Sequence, residues 1–205
     1  MKTLWDQFVP AEAPEKRSGR VFEMLREKYS EDHRFYHNLD HIGALLGYFG
    51  EYRNLIEDPS AVFFSVWFHD AVYDPQRIDN EKKSAELAGE QLAKLLVAEG
   101  SIRKISRMIL ATEKHSAEDL DADGRLFLDF DLAVLGAEKE VYRRYSFGVR
   151  REYSFVEETQ YRAARGRVLR KFLERDALYL TDPLRRRFEK KARENIEEEI
   201  EELLS

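Results

Sequence analysis

Apolar residues recur three or four positions apart along nearly the whole chain, while alternating runs of period two are scarce. That spacing follows the α-helix rather than the strand, so the expected fold class is all-α, a bundle of helices with short connections. The 205 residues are enough to bury a continuous core, and one domain spanning 1–205 is the expected organisation. Hydrophobic residues at 43%, charged residues at 36% and only five prolines fit a folded helical protein, not a disordered or fibrous one.

The pattern places a first clear helix over about Glu15 to Tyr29 and a second over Tyr36 to Glu51. Asp58-Pro59-Ser60 is a helix start, because Asp caps free N–H groups and Pro at the first position lacks only a hydrogen without a partner. Ala61 to Phe68 follows, apolar on nearly all sides, and reads as a helix through the core. Asp74-Pro75 marks a loop after it. A helix is then expected from Asn80 to Ala98, closing at Gly100, and another from Ser101 towards Thr112 and His115. Gly124 to Leu135 reads as a short apolar helix ending at Gly136, followed by two helices between Ala137 and Tyr179. The last helix, starting at Thr181-Asp182-Pro183, is so rich in Glu, Lys and Arg that it is expected as a solvated, salt-bridged outer element. The part from about 138 to 205 thus reads as an outer helical region.

Within this frame one set of side chains stands out. His37 and His41 are four apart, and on a helix both would project from one face. His69 and Asp70 fall at the end of the apolar core helix, where buried polar groups are costly unless something pairs with them. Asp131 lies among Phe130, Leu132, Val134 and Leu135. Imidazole nitrogens and carboxylate oxygens together suit a divalent metal such as Mn²⁺, Fe²⁺, Co²⁺, Ni²⁺, Mg²⁺ or Zn²⁺. The metal site would then be contributed by about residues 34–131.

Other properties narrow the function. A net charge of −6 and a pI near 5.5 give no long-range attraction to a nucleic-acid polymer or an anionic membrane. With no cysteine there can be neither disulfide nor thiolate ligand, which suits a reducing cytoplasm. Met1 to Asp6 reaches an acidic residue before any long apolar stretch, and no later stretch approaches the roughly 18 residues of a membrane span. A cytoplasmic location is the expectation.

The order His41, His69-Asp70, Asp131 resembles the H…HD…D signature of the HD superfamily of metal-dependent phosphohydrolases. Tyr36-His37-Asn38-Leu39-Asp40-His41-Ile42 and Asp131-Leu132-Ala133-Val134-Leu135 are similar to stretches of cyclic-nucleotide phosphodiesterase catalytic domains, distant members of that superfamily. More closely, Trp67-Phe68-His69-Asp70-Ala71-Val72-Tyr73-Asp74, Asp79-Asn80-Glu81 and Arg150-Arg151-Glu152-Tyr153 resemble patterns of small bacterial predicted HD phosphohydrolases. The resemblance implies a helical bundle of the HD/phosphodiesterase-like type, with His41, His69, Asp70 and Asp131 as metal ligands and Asp70 able to bridge to a second ion. It makes His37 the proton donor, a role that suits an imidazole titrating near neutrality one turn from a ligand.

Asp74 is a candidate for orienting the attacking water, and equally a turn residue before Pro75. Glu81 is a candidate catalytic carboxylate, since acidic residues after the HD pair assist catalysis in related hydrolases; it also complements a helix start. His115 resembles the extra histidine of fuller two-metal sites, with metal or substrate contact and a plain surface position both open. Arg34, Lys114, Arg150 and Arg167 are candidate phosphate contacts, Arg34 and Arg150 foremost, because guanidinium grips phosphate in a bidentate manner; arginines also commonly face solvent or pair with Glu. Tyr36, Trp67, Tyr73 and Tyr153 read as packing rather than as a nucleotide box.

The expected activity is therefore hydrolysis of a phosphate ester or anhydride of a small, nucleotide-like phosphorylated substrate. A metal- and nucleotide-binding regulatory module without turnover is the alternative. A third reading, oxygenase chemistry on a di-iron cluster, would need a larger ligand set, with His115 the first addition. One or two ions, and a monomer or a homodimer, stay open at this level.

Overall fold

The computed structural model describes residues 1–204. Among the described residues there are ten α-helices, two short 3-10 turns and no strand, so the protein is all-α. The chain falls into two compact units, Met1–Leu128 and Asp129–Ser205.

In the first unit the helices are α1 (Lys2–Phe8), α2 (Glu15–Lys28), α3 (Leu39–Glu51), α4 (Pro59–Phe68), α5 (Asn80–Lys94) and α6 (Glu99–Ala111), with the start of α7 (Ala122–Leu132). Helix α4 runs through the core as its composition requires: every residue from Ala61 to Phe68 is buried, and α3, α5 and α6 all pack on it. Its start follows the Asp-Pro rule. Asp58 accepts from the Ala61 N–H at 3.0 Å, Pro59 takes the first position, and the buried Asp123 carboxylate holds the Glu57 and Asp58 N–H groups at 2.8 Å each. Trp5 of α1 fits among Phe22, Phe63, Phe64 and Trp67 at ring separations of 5.6–6.2 Å. Burying such rings contributes roughly 1.5–3 kcal/mol each.

Two expectations about boundaries give way here. Helix α5 ends at Lys94 and α6 begins at Glu99, so Gly100 lies inside a helix and does not close one. The left-handed residue that terminates α5 is Leu96, with φ of 61°, and the Val97 N–H reaches back to the Leu92 carbonyl at 3.1 Å in the manner of a Schellman turn. The helix expected from Tyr36 begins at Leu39 instead. Asn38 caps it by accepting from the Asp40 N–H, which leaves His37 in the preceding turn.

The second unit contains the last turn of α7, a 3-10 turn (Ala133–Gly136), α8 (Lys139–Glu152), α9 (Glu158–Leu173) and α10 (Asp182–Leu204). Helix α10 lies on the 3-10 turn and on α9. A Cβ on Gly136 would come within 2.7 Å of the Phe188 backbone oxygen, so the bare glycine is what lets α10 approach. The expected solvated outer helix is thus corrected. Leu184, Phe188, Ala192, Asn195, Ile196 and Glu199 are buried along α10, and the Glu199 carboxylate accepts from Arg165 at 2.8 and 3.1 Å and from the Tyr142 hydroxyl at 2.5 Å. Buried polar residues on the inner face mask its amphipathic pattern.

Candidate metal centre

The chemistry-bearing residues of the first unit meet where α3 begins and α4 ends. His41 sits in the first turn of α3 and His69 caps the C-terminus of α4; both are buried, at 5% and 1% exposure. Their Nε2 atoms are 3.1 Å apart. The Asp70 Oδ2 lies 3.1 Å from His69 Nε2 and 3.9 Å from His41 Nε2. Ligand atoms about 2.0–2.2 Å from a divalent ion stand roughly 3–3.5 Å from one another in tetrahedral or octahedral geometry; the His41–His69 and His69–Asp70 separations match that spacing, and the His41–Asp70 separation is wider.

The orientation of His69 supports the fit. Its Nδ1 is 3.0 Å from the Val66 carbonyl, which can only accept. The neutral ring therefore carries its hydrogen on Nδ1 and turns a bare Nε2 towards His41, the arrangement in which a backbone carbonyl fixes the tautomer of a ligating histidine. The Phe127 ring packs edge-on against the His69 ring at 5.7 Å.

Asp131 is on the same uninterrupted helix as Phe127, four residues on and hence on the same face of α7. His41, His69 and half-buried Asp131 each offer a ligand atom, and these atoms lie within 4.8 Å of one another. A His/His/Asp group able to hold a metal ion is therefore present.

The other expected residues are placed as follows. His37, in the turn before α3, stacks on the Tyr73 ring at 4.2 Å, with its ring centroid 6.0 Å from that of His41. Asp74 makes a turn: its Oδ1 accepts from the Gln76 N–H, and its backbone exchanges two hydrogen bonds with the Asn80 side chain. Glu81, in the first turn of α5, is half-buried. Burial raises its carboxyl pKa, and it stands within electrostatic reach of Asp70, Glu113 and His115, the carboxylates raising it further and His115 opposing them. His115 lies three residues past the cap of α6, in a left-handed conformation with φ of 45°.

Arg34 does not face outward. Its side chain is fully buried, and its nitrogens donate to Glu31 and to three backbone carbonyls. Arg150, in the second unit, donates to Glu158 and to the carbonyls of Tyr153 and Val156, with its guanidinium 4.5 Å from the Tyr161 ring. Lys114 and Arg167 are exposed. Trp67 is core, while Tyr73, read as packing, forms one wall of the His37 site. The Val66 carbonyl and the Arg34 contacts are absent from the sequence reading, since backbone acceptors carry no residue signature.

Among the described residues no helix is long and apolar enough to cross a membrane. No family model, no curated protein and no solved structure matches the chain.

Proposed function

We propose that the protein is a metal-dependent phosphohydrolase of the HD type that cleaves a phosphate ester or anhydride of a small, nucleotide-like molecule in the cytoplasm. What supports this reading above all is the convergence of two buried imidazole Nε2 atoms, 3.1 Å apart, with the Asp70 carboxylate. Two buried imidazoles and a carboxylate that face one small volume are donors a divalent cation takes together.

His41, His69, Asp70 and Asp131 would hold the ion. When bound, a divalent ion supplies stabilisation of charge on a phosphoryl oxygen and a more acidic water, the two needs of phosphate-ester hydrolysis. His37 is assigned the proton donor to the leaving oxygen, because its imidazole stands beside the ligands without being buried among them. Glu81, whose carboxyl burial makes a better base than a solvated one, is assigned the acceptor of the attacking water's proton.

The test is hydrolysis of nucleoside mono-, di- and triphosphates, cyclic nucleotides and an aryl phosphate by metal-stripped protein resupplied with Mn²⁺, Co²⁺, Ni²⁺, Mg²⁺ or Zn²⁺. Metal-dependent turnover that disappears in Asp70→Ala is expected. Stoichiometric metal binding with no turnover by any ion would overturn the hydrolase and favour a metal- and nucleotide-binding module.

A further inference from the structure

We propose that Arg34 is a positioning residue, which holds His37 in register with the Asp70 segment by bridging their backbone carbonyls. The inference rests on the reading of His37 as proton donor and assigns the means by which the chain keeps that donor in place.

A buried guanidinium is costly unless its N–H groups find acceptors. Those of Arg34 find them in two separate segments. Nη1 donates to the His37 carbonyl at 3.0 Å and to the Asp70 carbonyl at 2.7 Å, so one nitrogen ties together chain segments 33 residues apart in sequence. Nη2 donates to the Ala71 carbonyl at 3.3 Å, and Nε to the Glu31 carboxylate at 2.9 Å, which offsets the charge. The planar group stands 5.1 and 5.4 Å from the rings of Tyr29 and Tyr73.

Tyr73 closes the arrangement. Its ring stacks on His37 at 4.2 Å, and its carbonyl lies 2.8 Å from His33 Nε2. His37 is therefore fixed twice, at its backbone by Arg34 and at its ring by an aromatic that Arg34 itself flanks. Neither support is helical, since His37 precedes α3 and Tyr73 follows α4. His41 and His69 do not need this clamp: each belongs to a helix end, and His69 has its own tie to Val66. The two histidine ligands are thus secured apart from the proton donor, and Arg34 touches Asp70 at its backbone carbonyl alone. Lysine cannot replace the clamp, because an ammonium has no plane to lie along the tyrosines and no separate nitrogens to reach Glu31, the Ala71 carbonyl and the His37 and Asp70 carbonyls together.

The experiment uses the full chain loaded with Zn²⁺, a diamagnetic probe, and compares wild type with Arg34→Lys. Nuclear magnetic resonance reads the His37 ring protons, which carry the ring current of Tyr73 and show cross-peaks to it; calorimetry reads Zn²⁺ affinity. In Arg34→Lys the cross-peaks are expected to vanish and the His37 shifts to move to those of a free imidazole. Zn²⁺ affinity is expected to stay within about threefold, because His41 and His69 keep their places without Arg34, whose tie to Asp70 is to the backbone and not to the carboxylate. On any substrate the wild type turns over, kcat is expected to fall about 10²-fold with KM little changed, the usual cost of a misplaced catalytic group.

Intact His37–Tyr73 cross-peaks in Arg34→Lys would overturn the proposal, and so would a loss of Zn²⁺ affinity in parallel with them. Should Arg34→Lys fail to fold, Glu31→Gln weakens the same guanidinium from the exposed side. It is expected to shift the His37 resonances in the same direction by less, and unmoved resonances would overturn the proposal. The resonance and affinity readouts do not pass through turnover, so the hydrolase reading and the clamp fail separately.

Discussion

The Nε2 atoms of His41 and His69 face each other across 3.1 Å inside the first unit, and only His69 has its tautomer set by the backbone, through Val66. With the His69 Nδ1 hydrogen on Val66, the hydrogen between the two rings is supplied by His41 Nε2. A metal at that position moves the hydrogen of a neutral ring to Nδ1 and expels the extra proton of a charged one, so uptake of Mn²⁺ or Zn²⁺ is expected to weaken as pH falls. At a hundredfold excess over Kd the ion should stabilise the fold by about 2.7 kcal/mol, read as a rise in Tm that is absent from His69→Ala. A Tm indifferent to every divalent ion would contradict this.

Trp5 and Trp67 are both fully buried, yet Trp5 Nε1 donates to the Ser18 hydroxyl at 2.9 Å while Trp67 Nε1 is the one buried side-chain polar atom without a partner among the described residues. Replacing either by Phe removes similar volume, but only Trp5→Phe also strands a buried hydroxyl. Trp5→Phe is therefore expected to cost about 1–2 kcal/mol more than Trp67→Phe in urea unfolding. Equal costs would show that the hydrogen bond contributes nothing.

Leu96 ends α5 with a φ of 61° and is 56% exposed. A leucine pays the steric cost of that conformation and recovers little by burial. Leu96→Gly should stabilise the protein by about 1 kcal/mol, measured as a higher urea midpoint at unchanged slope. A lower midpoint would mean that the leucine's packing outweighs the strain.

Asp129 is fully buried and accepts from the Leu180 N–H, the Thr181 N–H and the Thr181 hydroxyl at 2.5–2.8 Å. Burial pushes its carboxyl up to about 6 against the pull of those hydrogen bonds. A pKa raised on folding favours the protonated folded state. Its contribution is fully present below the unfolded value near 3.8 and is lost as pH rises through about 6. Relative to Asp129→Asn, the wild type should gain up to about 3 kcal/mol between pH 7 and pH 4. Denaturation at each pH, taken as the difference between the two proteins, checks the sign; a flat or opposite trend would refute it.

The all-helical fold is legible because helical spacing of apolar residues is a local property. So is the start of α4, where Asp58 and Pro59 act as their chemistry dictates. The end of α5 is not legible, because Leu96 adopts the backbone that a glycine signals and Gly100 does not. The inner face of α10 is hidden for another reason: Asn195 and Glu199 are buried polar residues whose partners, the Leu135 carbonyl and Arg165, are distant in sequence. At the candidate site, residue types and order mark His41, His69, Asp70 and Asp131 as candidate ligands, of which His41, His69 and Asp131 form the group able to hold an ion. The departure of His37 from the helix follows from the Asn38 cap, a local signal, whereas the burial of Arg34 depends on contacts with segments far away in the chain, which no local pattern records.

If His41 and His69 form the heart of a metal centre, anomalous X-ray scattering from crystals of the full chain grown with Mn²⁺ or Zn²⁺ will locate the ion between them. A strong peak is expected about 2.0–2.2 Å from both Nε2 atoms, with the Asp70 or Asp131 carboxylate beside it. Ordered His41 and His69 side chains with no peak between them, at saturating metal, would contradict it.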